Sequence, residues 1–275
     1  MQTEERRETE RPGERIDDLQ RCGCRIIQNA ELFCFGMDAV LLAAFAQPQI
    51  SAGAEVLDLC SGNGVIPILL DARMMGSGVH FTGIEINSVC VDMARRSALM
   101  NGQLDRIRFI EHDIRQECGQ IAPASFDAVT VNPPYMTGGA GLTGDNYART
   151  IARHEVLCGI QDVARFASSA LRYQGRVFMV HRPHRLGDIF RAFAASGLEI
   201  KRMRMVHPYA DREANMVLIE AAKGGKPYIH VESPLIIYRE GKAMASNMPG
   251  FKKYTYQVLL TYNGSSRKSA LPLKF

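Results

Sequence analysis

The sequence predicts an α/β protein with a doubly wound, seven-stranded, mostly parallel sheet whose last strand is antiparallel. Between residues 56 and 206, short apolar runs alternate with longer amphipathic segments, which is the pattern of βαβ units. Connections of helical length join successive strands and place them parallel. The last two predicted strands, 198–206 and 215–220, have only a loop between them, so we expect them to pair antiparallel.

The individual elements follow from length and periodicity. Apolar runs of four to nine residues indicate strands, and longer segments with apolar residues at helical spacing indicate helices. Gly102 and Gly197 close two of these helices. Strands are predicted over 56–59, 80–86, 107–111, 126–131, 176–181, 198–206 and 215–220, and helices over 65–75, 88–101, 157–173 and 186–196.

The segments outside this pattern divide the chain into four parts. Residues 1–15 are dense in Glu and Arg and have no apolar core, so they predict a disordered tail. Residues 16–50 form an N-terminal extension. Its alanine-rich end starts at Asp38 and is typical of a short helix. The central domain is predicted over residues 51–225, and a C-terminal extension over residues 226–275.

Composition narrows the class of protein. The 275 residues are 46% hydrophobic and 23% charged, as in soluble globular proteins, and the formal net charge of +4 suits a polyanionic partner. Seven scattered cysteines without paired CxxC motifs predict neither a metal site nor a disulfide framework, and reduced thiols fit a cytoplasmic protein. Since no apolar run approaches the ~20 residues that span a bilayer, we expect no membrane partner.

The motif Asn132-Pro133-Pro134-Tyr135 follows the predicted strand 126–131. Prolines lack an N–H and fix φ near about −65°, so they end strand pairing and form a rigid shelf. Open α/β sheets bind ligands at the carboxyl ends of their strands. The Asn132 side chain and the shelf carbonyls can accept hydrogen bonds from an amine, while Tyr135 can stack on a ring. The motif predicts a site for a flat, amine-bearing group; the alternative is a proline turn that only closes the strand.

Acidic residues lie at the ends of three other predicted strands: Asp58 near the end of strand 56–59 opens a glycine-rich loop, Glu85 lies at the end of strand 80–86, and Asp113 follows strand 107–111. A carboxylate at the place of Glu85 accepts hydrogen bonds from ribose hydroxyls. Asp113 is placed to accept from an adenine amine. Carboxylates disfavour the pyrophosphate of NAD, so the set favours S-adenosylmethionine, although each acid alone also fits a turn cap or a solvated loop.

On these residues the chain resembles a class I S-adenosylmethionine-dependent methyltransferase with a Rossmann-like fold. More narrowly, it is similar to the bacterial tRNA1(Val) (adenine-37-N6)-methyltransferase family. Met37 departs from the family pattern, because many relatives have Thr there, and the tail 241–275 differs from the short ending expected of the family. The stretches that carry the resemblance are 35–42, 58–70, 132–135, 152–155, 206–208 and 214–220.

The resemblance implies methyl transfer to the exocyclic N6 amine of adenine in RNA, with tRNA as the expected partner. The central domain is then the catalytic domain, Asn132 and the Pro133 carbonyl accept from the amine, and Tyr135 stacks on the base. The expected cofactor-binding residues are Phe35, Asp38, Asp58, Cys60, Gly62, Gly64, Glu85, Ile86, Asp113, Ile114 and Asn132. The expected RNA contacts are Arg149, Arg153, His154, Arg202 and Arg204. Structural ion pairs are the alternative for the first three, and a solvated face of the strand is the alternative for Arg202 and Arg204.

The sequence leaves further functions open. A protein glutamine N5-methyltransferase uses the same shelf on a planar amide, but the basic charge and the missing helical N-terminal domain favour RNA. A DNA adenine methyltransferase is also compatible with the motifs, as is a non-catalytic nucleic-acid-binding domain. An intact Asn132 and Tyr135 speak against a non-catalytic domain. The sequence does not indicate the oligomeric state.

Overall fold

The computed structural model describes residues 11–20, 23–32, 34–134, 158–239 and 242–243. A hairpin and one helix precede the alternating strands and helices, and short strands follow them. The elements are β1 (Glu14–Asp18), β2 (Arg25–Asn29), α1 (Met37–Ala46), β3 (Glu55–Leu59), α2 (Val65–Arg73), β4 (His80–Glu85), α3 (Ser88–Met100), β5 (Ile107–Glu111), β6 (Phe126–Val131), α4 (Ile160–Ala170), β7 (Leu171–His181), α5 (Leu186–Ala195), β8 (Leu198–His207), β9 (Met216–Lys223), β10 (His230–Val231), β11 (Leu235–Ile236), β12 (Tyr238–Arg239) and β13 (Lys242–Ala243), with 3-10 turns at Gln47–Gln49 and Pro183–Arg185.

Within the described part of the chain, nine strands form the central sheet. Their order is β10-β8-β9-β7-β6-β3-β4-β5, and β11 also pairs with β8. Strands β3 to β7 are parallel, whereas β9 is antiparallel to both β7 and β8. The predicted doubly wound, mostly parallel sheet with an antiparallel last strand is confirmed, and β10 and β11 extend one edge beyond the seven predicted strands.

Helices cover both faces of this sheet. Leu57 and Leu59 of β3 pack in one buried apolar cluster with α4 and α5, whereas Val56 packs in a second cluster with α1 and α2. Neighbouring residues of β3 reach opposite faces because side chains alternate along a strand. Strands buried on both faces read as apolar runs, which is why β3 and β6 were recognisable in the sequence.

Strand β7 begins earlier than the sequence predicts. A helix was expected over 157–173, but α4 ends at Ala170 and the next residue, Leu171, pairs with Phe126 of β6. Leu171 is fully buried and has an extended backbone. Strand pairing and burial therefore override the helical pattern of this segment.

Strand β1 begins at Glu14, inside the segment 1–15 for which the sequence predicts a disordered tail. The Glu14 carboxylate accepts hydrogen bonds of 2.8 and 2.6 Å from the Arg96 guanidinium of α3, and the Glu14 side chain is only 3% exposed. This buried pair fixes the start of the hairpin on α3. Residues 1–10 lie outside the described residues.

The described residues contain no membrane-spanning helix and no cluster of metal ligands. None of their helices is both long and apolar enough to cross a membrane. Their His, Cys, Asp and Glu side chains form no group of three or more that could hold a metal ion.

Gly83→Ala should lower the free energy of unfolding by about 1–3 kcal/mol, the usual effect of overpacking a core. A Cβ atom on Gly83 would lie 2.5 Å from Cδ1 of Phe109 and 2.7 Å from Oγ of Ser61. Urea denaturation measures the change. Gly119→Ala is the control, because a Cβ there meets no atom within 4 Å. Equal stability of the two variants would contradict this packing.

Candidate active site

The glycine-rich loop joins β3 to α2 and covers residues 60–64. Cys60, Gly62 and Gly64 have positive φ angles of 56°, 55° and 81°. Position 64 requires glycine for two reasons. Its backbone is left-handed, and a Cβ atom there would lie 2.6 Å from Cζ of Phe109. The loop is therefore tightly turned at the carboxyl end of β3.

Asp58 is buried beneath this loop and holds it to the neighbouring strand. One carboxyl oxygen, Oδ2, accepts a hydrogen bond of 2.6 Å from the Ser61 hydroxyl, and Oδ1 accepts one of 2.6 Å from the Thr130 hydroxyl. Ser61 belongs to the loop, and Thr130 lies on β6 two residues before Asn132. The Asp58 carboxyl group, only 1% exposed, thus connects the loop to the strand that carries the shelf.

Burial also changes the ionisation of Asp58. Loss of solvent raises the pKa of this carboxyl to about 7, and the nearby Glu85 charge adds to the rise, while the hydrogen bonds from Ser61 and Thr130 oppose it. Near neutral pH the protonated and the ionised forms of this carboxyl are therefore both populated.

Glu85, at the end of β4, holds the other side of the loop. Its Oε2 accepts from the Gly62 N–H and its Oε1 from the Asn87 N–H, both at 2.9 Å. Each carboxylate oxygen has a second lone pair, so both can also accept from hydroxyl groups. The N–H groups fix the carboxylate at the edge of the sheet where the loop turns.

The N-terminal hairpin packs on the loop from outside the central domain. The buried Asn63 donates from Nδ2 to the Ile27 carbonyl at 3.1 Å, and the Ile27 N–H donates to Oγ of Ser97 at 3.0 Å. Asn101 completes the attachment, since its side chain accepts from the Arg25 N–H at 2.9 Å and donates to the Arg25 carbonyl at 2.7 Å. The loop therefore depends on β2 for its position.

The predicted cofactor-binding residues Phe35 and Asp38 lie at the start of α1. Gln28 of β2 is buried and accepts from the Phe35 N–H at 3.0 Å, while its amide contacts Asp17. Asp38 accepts from the Ala39 N–H at 2.9 Å, in the first turn, where an acidic side chain favours the helix dipole. The hairpin thus positions both the loop and the start of α1.

The remaining predicted cofactor contacts have partners of their own. Asp113 forms an ion pair with Arg115 at 2.6 Å, and hydrogen bonds from Arg115 hold the pKa of that carboxyl below its usual range. The Cys60 thiol has a raised pKa, first because of a hydrogen bond with the Cys158 thiol and then because of burial. Ile86 is half-buried and Ile114 is buried.

The shelf follows β6 directly. Val131 of β6 is paired with Leu59 of β3, so Asn132 begins level with Cys60, at the entry of the loop. Pro133 is buried, and Asn132 and Pro134 are half-buried. Adjacent strands lie about 4.8 Å apart, so the shelf and the loop are immediate neighbours. The other predicted contacts, Tyr135, Arg149, Arg153 and His154, lie outside the described residues.

Arg202 and Arg204, which the sequence associates with RNA, are held inside the protein. Arg202 pairs with Glu220 at 2.6 Å and with Glu232 at 2.8 Å, and its guanidinium lies 3.9 Å from the centroid of the Phe45 ring. Arg204 is 7% exposed and donates to the Ser233 carbonyl. Both side chains reach Glu232, as expected of alternate residues on one face of a strand, and their contacts favour structural ion pairing over an RNA site.

Sequence reasoning missed two hydroxyl groups of the site, those of Ser61 and Thr130. A usable signal exists for both: a buried carboxyl needs hydrogen-bond donors, and Ser61 and Thr130 are hydroxyl residues close to Asp58 in the loop and on the neighbouring strand. It also missed Asn63, whose partner on β2 belongs to a hairpin that the sequence did not indicate.

Comparison with known proteins assigns the family. The family described as "methyltransferase small domain" has a sequence model that matches residues 36–188, more than half of the chain. The chain belongs to this methyltransferase family. A second model, of a family of unknown function, matches residues 188–275. The expectation that the protein is a methyltransferase is confirmed.

Curated relatives and solved structures agree with this assignment. A tRNA1(Val) (adenine(37)-N6)-methyltransferase of Porphyromonas gingivalis is 30% identical over 74% of this chain and 77% of its own length. A relative of the same name from Aliivibrio fischeri is 26% identical over 73% of this chain and 81% of its own. A structure described as a predicted O-methyltransferase from Agrobacterium tumefaciens has a TM-score of 0.59 at 24% identity. It covers 83% of this chain and 96% of its own, which supports the fold.

Asp58→Asn should flatten the pH dependence of stability between about pH 4 and 7. The pKa of Asp58 rises from 3.8 to about 7 on folding, so in this window the folded state holds a proton that the unfolded state has released. The stability contributed by Asp58 is complete below pH 3.8 and is lost as the pH rises to about 7, at up to about 1.4 kcal/mol per pH unit. Urea denaturation at several pH values measures this slope.

Asp127→Asn is the matched control, because the Asp127 side chain is 38% exposed and pairs with Arg172 near the amino ends of β6 and β7, away from the loop. It should keep the wild-type slope. A wild-type slope in Asp58→Asn itself would show that the Asp58 carboxyl does not retain its proton on folding.

Proposed function

We propose that the protein transfers a methyl group from S-adenosylmethionine to the N6 amine of an adenine in RNA, and that this RNA is a tRNA. The observation that carries the proposal is the position of the Asn132–Pro134 shelf beside the loop held by Asp58 and Glu85. The names of the curated relatives support adenine as the base and tRNA as the RNA class. A tRNA substrate would place the reaction in the cytoplasm.

The loop and its acids fit S-adenosylmethionine. Glu85 presents two carboxylate oxygens, fixed by backbone N–H groups, that suit ribose hydroxyls. Carboxylates at this edge suit a cofactor that carries an amino group and a ribose but no phosphate. When bound, the cofactor supplies an electrophilic methyl group on a sulfonium sulfur.

Asn132 and Pro133 are proposed to activate the amine by accepting hydrogen bonds from its two N–H groups, and the nitrogen releases one proton to solvent once its new bond to the methyl carbon has formed. The lone pair of an exocyclic amine is delocalised into the ring, which makes the nitrogen a poor nucleophile. Hydrogen bonds to the Asn132 side-chain oxygen and to the Pro133 carbonyl draw the nitrogen toward sp3 geometry and free its lone pair. Pro134 has no N–H to compete for these acceptors. Positioning and electrostatics then supply most of the rate.

The other site residues receive supporting roles in this proposal. Asp58 acts by fixing the loop through Ser61, and the hairpin acts through Asn63 and Gln28. The extension 16–50 is therefore proposed to be part of the cofactor site of the catalytic domain 51–225. Direct contacts with the cofactor are proposed for Phe35, Asp38, Cys60, Gly62, Gly64, Ile86, Asp113 and Ile114, and contacts with the RNA for Tyr135, Arg149, Arg153 and His154.

Asn132→Ala should reduce turnover at least about a hundredfold, because the variant loses an acceptor that aligns and activates the amine. S-adenosylmethionine affinity should stay within about threefold of the wild type, since the loop and Glu85 are intact. Incorporation of labelled methyl groups into bulk bacterial tRNA and calorimetric titration of the cofactor measure the two quantities. Nucleoside analysis should identify the wild-type product as N6-methyladenosine.

Asn101→Ala is the control for substitution of an asparagine. Asn101 attaches the hairpin to α3, so its loss should lower stability and cofactor affinity more than turnover at saturation. Near-normal methylation by Asn132→Ala would refute the role given to Asn132. If the labelled methyl group appeared on glutamine in protein and not in RNA, the acceptor would be an amide instead of adenine.

A further inference from the structure

A basic segment lies beside the shelf, at the carboxyl end of β7. Strand β7 is parallel to β6, and Met179 is paired with Val131. His181, two residues further along β7, is therefore level with Pro133, two residues beyond the end of β6. The residues that follow, 182–185, therefore leave the sheet about one strand spacing, roughly 5 Å, from the shelf backbone.

This segment is rich in cations. Residues 182–191 contain three arginines and one aspartate, a net charge of +2 before His184 is counted. His184 is exposed. Arg185 and Arg191 both pair with Asp188, at 2.8 and 2.5 Å, so one carboxylate is shared by two guanidinium groups and the cluster keeps its positive charge.

His181, the last residue of β7, fixes the backbone at the start of this segment. This residue is 1% exposed, and its Nδ1 accepts a hydrogen bond of 2.8 Å from the Arg182 N–H. Burial lowers the pKa of His181 to about 4, and the charges of Arg185, His184 and Arg182 contribute. His181 is therefore neutral near pH 7, and the side chains of Arg182, His184 and Arg185 lie near it.

The Arg182 side chain also contacts the residue that precedes β9, the strand next to β7. Its Nη1 donates to the Asn215 carbonyl at 2.9 Å, immediately before β9. The Pro183–Arg185 turn then carries His184 outward. The side chains of Arg182, His184 and Arg185 thus project from a short segment whose start is held by hydrogen bonds.

The charges at this edge of the sheet are separated by the shelf. Asp58 and Glu85 lie at the carboxyl ends of β3 and β4 and Asp113 follows β5 on one side, and the 182–185 segment follows β7 on the other. An adenine on the shelf brings its flanking phosphates to this edge. The arginines of the β7 side attract these phosphates.

We propose that Arg182, His184 and Arg185 bind the phosphates that flank the target adenine, so that the turn after β7 is part of the RNA interface. This rests on the proposed function, because it presumes that the base on the shelf belongs to an RNA chain. The contacts would position the RNA and would read no base, since phosphate contacts carry no sequence information directly.

Two substitutions with matched controls test this interface. His184→Glu places a negative charge at an exposed position of the segment, and His230→Glu makes the same change at an exposed position of β10, four strands from β6. Arg182→Gln removes a cation beyond the end of β7, and Arg172→Gln removes one near its start, at the opposite edge of the sheet. Thermal denaturation checks that all four variants fold.

His184→Glu should raise KM for bulk bacterial tRNA at least about tenfold, because an attractive contact becomes repulsive. The kcat value and the cofactor Kd should stay near those of the wild type. Arg182→Gln should also raise KM, and it should reduce the slope of log affinity against log salt by about one, the effect of losing one phosphate contact. His230→Glu and Arg172→Gln should keep wild-type values.

Wild-type KM and salt slope in both segment variants, with RNA still methylated, would overturn this inference and leave the proposed function intact. Equal losses in the segment variants and their controls would overturn it too, because the effect would then come from net charge alone. Methylation of protein but not of RNA by the wild type would overturn both proposals.

Discussion

The buried carboxyl group of Asp58 is the contact on which the rest of the site depends. It accepts hydrogen bonds of 2.6 Å from Ser61 in the glycine-rich loop and from Thr130 on β6. Leaving a buried polar group without its hydrogen-bond partners costs about 1–3 kcal/mol, and more when the group is charged. The loop cannot shift without losing Ser61, and the strand that carries Asn132 cannot shift without losing Thr130.

The loop is held from two more sides, and each contact brings in a different part of the chain. Glu85 of β4 accepts a hydrogen bond from the Gly62 N–H, and Asn63 donates one to the Ile27 carbonyl of the hairpin. The hairpin is fixed on α3 by Ser97, Asn101 and the buried Glu14–Arg96 pair. The N-terminal extension therefore works as a support of the loop. The cations after β7 extend the same edge on the side away from the acids, so loop, shelf and basic turn form one line across the sheet.

The parts of this arrangement that sequence predicted are those with a local cause. Apolar runs located β3 to β6, and two prolines marked the end of β6, because periodicity and backbone chemistry act over a few residues. The hairpin was missed because its partners, such as Ser97, lie about 70 residues away. Leu171 was assigned to a helix because its pairing with Phe126 is likewise distant in sequence. The arginines of β8 gave a basic pattern in the sequence, but Glu220 and Glu232, which pair with Arg202, lie 18 and 30 residues further on.

The affinity of Thr130→Val for S-adenosylmethionine tests this account most directly. The substitution removes one hydroxyl from the Asp58 bridge, on a strand outside the loop, and nearly preserves side-chain shape. Thr82→Val is the comparison, because Thr82 is also buried but its hydroxyl accepts from Arg108 on β5. If the bridge holds the loop in place, calorimetric titration will show at least about a tenfold weaker Kd, or about 1.4 kcal/mol, for Thr130→Val and wild-type binding for Thr82→Val. Wild-type affinity in a folded Thr130→Val protein would contradict the coupling of loop and shelf through Asp58.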